Sequence, residues 1–208
     1  MSSGPWKHCG ANFVIYPTAK LLKPGNITLG SNIIIDDFVF IGGHEELIVG
    51  NHVHIASHAS ITGGGRCLLG DFCGLSTGVR LLTGTDDFHG ACLTGPTIPP
   101  EFRQVTRSAV VVESHAILGA NVVVLPGVRI GEGTTVGAGS VVTRDLAPWG
   151  VYAGAPARLI KPRPWQHILA AEQEMYRCHG RPAASYRLPL TPTVPDAALH
   201  STDDSRAA

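Results

Sequence analysis

Rings are scarce in this chain. Phe, Trp and Tyr make up 6% of its 208 residues, whereas glycines number 25. That balance excludes a wide core filled by large aromatic side chains and favours a narrow one with close backbone approach. An excess of charge is also missing. Sixteen Lys and Arg face 16 Asp and Glu, for a formal net charge of zero, which argues against a general nucleic-acid binder. No run of about 18 apolar residues occurs, so no membrane insertion is expected. No charged-then-apolar stretch opens the chain as an export signal would, and a cytoplasmic protein is the expectation. The cysteines, Cys9, Cys67, Cys73, Cys92 and Cys178, are odd in number and lack disulfide-like spacing. That suits a reducing compartment.

What the chain has instead is a period. Leu29, Ile35, Ile41; Val49, Ile55, Ile61; Leu69, Leu75, Leu81; Val112, Leu118, Val124; and Ile130, Val136, Val142 are spaced six apart within each triplet. The step between triplets lengthens by two after Ile41 and after Ile61, and by far more after Leu81. Six residues therefore make one side, and three sides make one turn. This is the pattern of a hexapeptide-repeat parallel β-helix of triangular section, an all-β fold. A second row lies two residues before each anchor, from Ile27, Ile33 and Val39 to Val128, Thr134 and Ser140. Alternation puts both rows inside. Cys67 and Cys73 fall in this second row and are expected to be core residues. Five coils follow, about 24 Å tall at ~4.8 Å per coil. An irregular leading coil around Val14 and Leu21 is expected to cap the N-terminal end.

The predicted organisation is a lead-in at 1–26, the β-helix at 27–147, a C-terminal segment and helix at 148–180, and a Pro/Ala-rich tail at 181–208. A long excursion at 83–109 interrupts the helix. Structureless loops of that length are uncommon and are usually functional or disordered. The excursion leaves from the same corner as the short bulges at 42–46 and 62–66. His44, the Gly63-Gly64-Gly65 run and the loop base should therefore stack along one edge. Residues 165–178 read as a short helix, with Ile168, Leu169, Met175 and Tyr176 roughly on one side and Gly180 as its stop.

The segments ILGANVVVLPGVRIGEGTTVGAGSVVTRD and AGAPARLIK resemble the C-terminal half of hexapeptide-repeat acetyltransferases of the galactoside, maltose and nodulation type. The TGTDDFHG…LTGPTIPPEF loop is similar to that of acetyltransferases of sugar and polysaccharide assembly. The resemblance implies a left-handed helix, a homotrimer, and acetyl-CoA as cosubstrate in a groove between neighbouring prisms. A sugar or sugar-nucleotide acceptor is implied, with the long loop reaching over the groove. It places Ala120 and Ala138 where backbone meets the pantetheine arm, and Thr143 and Arg144 near the nucleotide end. Arg158 and Lys161 would meet a phosphate. A backbone N–H near Gly119 or Ala120 is a candidate donor to the oxyanion.

Transfer to an alcohol needs a base, and a neutral imidazole suits that step. His89 is the first candidate, oriented by Asp86 or Asp87; His44 is the second, and His54 or His58 follow. Asp86 and Asp87 are equally readable as a turn that holds the loop. An amine acceptor would attack without such a base, with Asp87 only positioning it. The histidine tilts the reading towards O-transfer. Two alternatives stay open. One is a zinc lyase of the γ-carbonic-anhydrase type, drawing on His54, His58 and His89 or His115. The other is a non-catalytic β-helix scaffold.

Overall fold

The computed structural model describes residues 5–182. Three parallel sheets form the sides of a triangular prism. Coil 1 runs through His8–Cys9, Phe13–Ile15 and Lys20–Leu21. Coil 2 follows with Ile27–Leu29, Ile33–Ile35 and Phe40–Ile41, and coil 3 with Glu46–Val49, His54–Ile55 and Ser60–Thr62. Coil 4 is Arg66–Leu69, Gly74–Leu75 and Arg80–Leu82. Coils 5 and 6 are Ala109–Val112, Ile117–Leu118, Val123–Val124 and Arg129–Ile130, Thr135–Val136, Val141–Val142. The architecture is a left-handed parallel β-helix of about seven turns.

The register is the one the six-residue period requires. Leu29 pairs with Val49, Val49 with Leu69, Leu69 with Val112, and Val112 with Ile130. Both interior rows are buried along their whole length. Cys67 and Cys73 lie within that core, and burial raises both thiols, Cys73 to about 12. Near the C-terminal end the inner row becomes polar, and every hydroxyl finds a partner. Thr134 Oγ1 donates to Ala147 O at 2.9 Å, and Ser140 Oγ donates to Gly137 O at 2.7 Å. Partnering removes the desolvation cost of burying these groups.

Both ends of the stack differ in detail from the sequence pattern. The N-terminal coil keeps the six-residue step, but through Cys9, Ile15 and Leu21. These residues pack against the core, with Phe13 and Ala19 as the second row. Val14 points outward and is 49% exposed. At the other end, Leu146 bridges Ile130, and Tyr152 in Gly150–Gly154 pairs with Val136 to start a seventh turn. Ala157–Pro162 then folds back antiparallel and closes the second side. The excursion has structure of its own, because Gly84–Asp86 pairs antiparallel with Val105–Arg107.

The first corner, between sides one and two, carries a column of left-handed residues. Asn12, Asn32, His52, Phe72, His115, Gly133 and Trp149 have φ between 54 and 64°. Identical backbone at each level stacks the side chains. His52 lies on Phe72 at 4.8 Å and 3°, and Phe72 on His115 at 4.9 Å and 2°. Helix α1, Gln166–His179, covers this column. Its Tyr176 meets His52 and Phe72 edge-on at 5.7 Å, and its Glu172 accepts from His115 Nε2 at 2.9 Å. Gly180 ends the helix with φ 76°, as its sequence position predicts. No helix among the described residues is long and apolar enough to cross a membrane.

Candidate active site

The third corner joins side three of one coil to side one of the next. His44, the glycine run and the loop base stack there. Thr83 Oγ1 donates to Thr62 O at 2.8 Å and accepts from Gly65 N at 3.0 Å, while Ser108 N donates to Thr83 O at 2.8 Å. A Cβ on Gly63 would sit 2.2 Å from Gly84 N, so that glycine is required by the approach of the loop. His44 is sealed inside this stack at 1% exposure. Its Nε2 faces Ile61 O at 3.0 Å and its Nδ1 faces Gly65 O at 3.3 Å. Burial holds its pKa below the ordinary histidine value, although both backbone contacts pull the other way. A ring enclosed in this way ties two coils together. Bound substrate cannot reach it, which removes His44 as a candidate base.

At the loop tip the arrangement differs from an oriented histidine. Asp87 Oδ1 accepts from His89 N at 2.8 Å, and Oδ2 accepts from Ala91 N at 2.5 Å and Cys92 N at 2.8 Å. These backbone donors hold the Asp87 carboxyl below the usual range. Its lone pairs therefore shape the turn and do not engage the His89 imidazole. Both His89 and Phe88 are exposed, Phe88 at 87%. Asp86 is half-buried at the end of the ribbon strand, one residue before that turn.

The second corner, between sides two and three, is open towards its C-terminal end. Gly119 packs so closely on the next coil that a Cβ would lie 2.7 Å from Ala138 N. Ala120 O accepts from Gly139 N at 2.8 Å, as Thr77 O accepts from Asn121 N and Ser57 O from Gly78 N in earlier coils. Gly139 has φ 70° and nothing within 4 Å of its missing Cβ. Ala120 and Ala138 therefore form a ledge of backbone with little side chain above it. Arg158 pairs with Ala153, which follows the Val136 partner Tyr152, so register sets it level with Gly137 beside this ledge, where its Nη1 donates to Ala157 O at 3.1 Å. Lys161 stands three residues further along the same strand, about 10 Å away. Thr143 and Arg144 are exposed at the far edge of side three, next to the third corner. Ala120, Ala138 and Arg158 thus form one group, with Arg144 across side three and Lys161 towards the first corner. Loop and ledge rise from different corners of the prism.

The bacterial transferase hexapeptide family (six repeats) matches residues 109–144. A dTDP-4-amino-4,6-dideoxy-D-glucose acyltransferase of Escherichia coli is 33% identical over 159 residues, which is 76% of this chain and 83% of that relative. The chain belongs to the hexapeptide-repeat acyltransferases. Among solved structures, AntD, an N-acyltransferase from Bacillus cereus, in complex with dTDP and 3-hydroxybutyryl-CoA, matches with a TM-score of 0.78 at 35% identity. It covers 85% of this chain and 93% of that one. A point variant of AntD with dTDP-4-amino-4,6-dideoxyglucose and coenzyme A gives a TM-score of 0.79, again at 35% identity, over 84% and 92% of the two chains. A putative lipopolysaccharide biosynthesis O-acetyl transferase, WbbJ, of Escherichia coli K12 is 37% identical over 145 residues, 65% of this chain and 68% of that one.

These relatives favour neither the zinc-lyase nor the scaffold alternative. In the acyltransferase the histidines weighed as zinc ligands are also engaged elsewhere. His115 is bound to Glu172 under α1, His58 stacks on Phe38 at 5.1 Å, and His54 bonds Asp36. The sequence reading missed that last pair. Its signal was available: Ile34 and His54 are register partners, so Asp36 and His54 are diagonal neighbours on adjacent coils.

Proposed function

We propose that this acyltransferase moves an acyl group from acyl-CoA to the amino group of a nucleotide-linked amino-dideoxy sugar, in a groove between copies of a homotrimer. The acyl-CoA part follows from family membership. The ledge at Ala120 and Ala138 supports it, because a pantetheine arm needs backbone without side chains above it. Arg158, with Arg144 and Lys161 flanking, supplies positive charge at the end where the nucleotide phosphates would lie. A groove between subunits accounts for a loop and a ledge that leave different corners. Both co-substrates are cytoplasmic metabolites, and that is the compartment we infer.

The amine acceptor is supported by the likeness to AntD, an N-acyltransferase whose complex holds dTDP-4-amino-4,6-dideoxyglucose and coenzyme A; Asp87 bears only on the loop histidine. O-transfer was favoured by a loop histidine oriented by a carboxylate. Three backbone N–H groups occupy that carboxylate, and no oriented dyad forms at His89. An amine is nucleophilic once neutral, and Asp86, at the end of the ribbon strand, and Glu101 are the loop carboxylates left to receive it. The nitrogen attacks the thioester carbon, the carbon–sulfur bond breaks, CoA leaves as the thiolate, and the nitrogen loses one proton. N–H groups near Gly119 and Ala120 are the candidate oxyanion donors. The test is thiol release from acetyl-CoA with dTDP-4-amino-4,6-dideoxyglucose and, in parallel, with dTDP-glucose. The amine is expected to be preferred by roughly 100-fold or more in kcat/KM. Equal or faster transfer to the hydroxyl sugar would overturn the acceptor assignment, and failure to bind CoA at all would overturn the reading as a whole.

A further inference from the structure

We infer that His54, held by Asp36, is the proton acceptor of the transfer reaction, and that the gap left by Gly74 is the notch in which acyl carbon and acceptor meet. This rests on the acyl-CoA reading above and adds a catalytic residue outside the loop. His54 stands on the outer face of side two, half-exposed, with Nε2 3.0 Å from Asp36 Oδ2. The carboxylate accepts the Nε2 proton, so the lone pair sits on Nδ1, directed away from Asp36. Of the two carboxylate–histidine pairs among the described residues, this is the exposed one. The other, His115 with Glu172, is sealed beneath α1.

The residue below His54 in the same sheet is Gly74, and below that Ile117. A Cβ at Gly74 would meet nothing within 4 Å. Glycine is not needed there for packing, and its absence of side chain leaves a gap one coil high, about 4.8 Å, beside the imidazole. The ledge leads to this gap. Asp36, Ala56, Ser76 and Gly119 occupy the same corner position in successive coils, each donating its N–H to the next coil. A pantetheine arm anchored near Arg158 and running past Ala138 and Ala120 points its thioester at coils 4 and 3, where Gly74 and His54 stand. As the carbon–nitrogen bond forms, Nδ1 takes the proton from the attacking nitrogen, and the carbon–sulfur bond then breaks to release the thiolate. The imidazolium is stabilised by Asp36 until its proton passes to the thiolate or to water, so Asp36 is a positioning residue.

The experiment compares wild type, His54→Gln and Asp36→Asn, each with acetyl-CoA and the amino-sugar nucleotide. His54→Gln is expected to lower kcat roughly 100-fold, to flatten the acidic limb of the pH–rate profile, and to leave the Kd for CoA within about twofold. Asp36→Asn should lower kcat less and shift that limb. A kcat for His54→Gln within threefold of wild type, with the acidic limb intact, overturns the proposal. A second readout does not depend on the acceptor: the His54 ring resonances of ¹⁵N-histidine-labelled wild type during titration with acetyl-CoA. A shift on binding supports the notch, and an unmoved ring overturns it. If no sugar nucleotide is acylated but the resonance moves, the acceptor assignment fails and the notch stands.

Discussion

Two corners of the same prism are built on the same backbone and end in opposite states. The first corner repeats a left-handed residue at each level and fills the column with Asn, His, Phe and Trp side chains, which α1 then covers. The second corner repeats the left-handed residue too, at Phe38, His58, Gly78, Asn121 and Gly139. Its rings stop after coil 3, where His58 stacks on Phe38, and the later levels carry small or polar side chains. Left-handed backbone alone does not decide whether a corner is closed. Side-chain size does: stacked rings bury their faces and give a helix something to cover, whereas alanine and glycine leave backbone exposed to a ligand. The closed corner is structural, and the open one is where chemistry is proposed.

Filling the open corner should have the largest consequence. Ala138→Leu is expected to leave thermal unfolding nearly unchanged, because Ala138 is exposed, but to weaken CoA binding roughly 100-fold by calorimetry, about 2.8 kcal/mol. Unchanged affinity would show that the ledge is not the cofactor groove.

A matched glycine pair sharpens the contrast at the level of stability. Gly133 and Gly139 have φ 64° and 70°, but a Cβ at Gly133 would lie 2.2 Å from the Trp149 ring and one at Gly139 meets nothing. Alanine at either site adds the left-handed penalty, about 1–2 kcal/mol. Only Gly133→Ala must also displace Trp149, so about 3 kcal/mol is expected there against about 1 kcal/mol for Gly139→Ala. Urea midpoints at constant m measure both, and equal losses would erase the distinction between the corners.

The smallest effect is the pH dependence. Burial holds His44 and His52 below the ordinary value of 6.5. The unfolded chain therefore binds more protons than the folded one as pH falls below that value. Stability is full above about pH 6.5 and declines as pH drops through the depressed folded-state values. Glu46, lowered by Lys7 and Arg66, adds a further loss only below its ordinary 4.5. Denaturation midpoints between pH 7 and 5 should fall for wild type and fall less for His44→Gln. A flat wild-type profile would contradict the assignment of His44 as a buried neutral ring.

The repeat was legible because a six-residue side forces one residue type into one place, fifteen times over. Coil 1 escaped because its anchors are Cys9, Ile15 and Leu21, and a search for Leu, Ile and Val stops at the cysteine. The seventh turn escaped because Leu146 follows Val142 too closely for the period. At the site, the corner shared by His44, the glycine run and the loop base followed from register alone. The fate of the polar groups there did not. Sequence cannot show that His44 faces two carbonyls or that Asp87 faces three N–H groups, since those partners are chosen by backbone geometry in a turn. The His54–Asp36 pair lies between these cases: register makes the two residues neighbours, and only the side-chain rotamers bring them to 3.0 Å.

The sequence by itself determined the prism, its inward rows, the place of the excursion and the family, because apolar periodicity acts locally and repeats. Tertiary structure alone decided which histidine is sealed, which aspartate is consumed by backbone, and which corner stays open. The reason is physical. Burial and hydrogen-bond partnership belong to groups brought together from adjacent coils some twenty residues apart, and their energies depend on distances that a one-dimensional pattern does not contain.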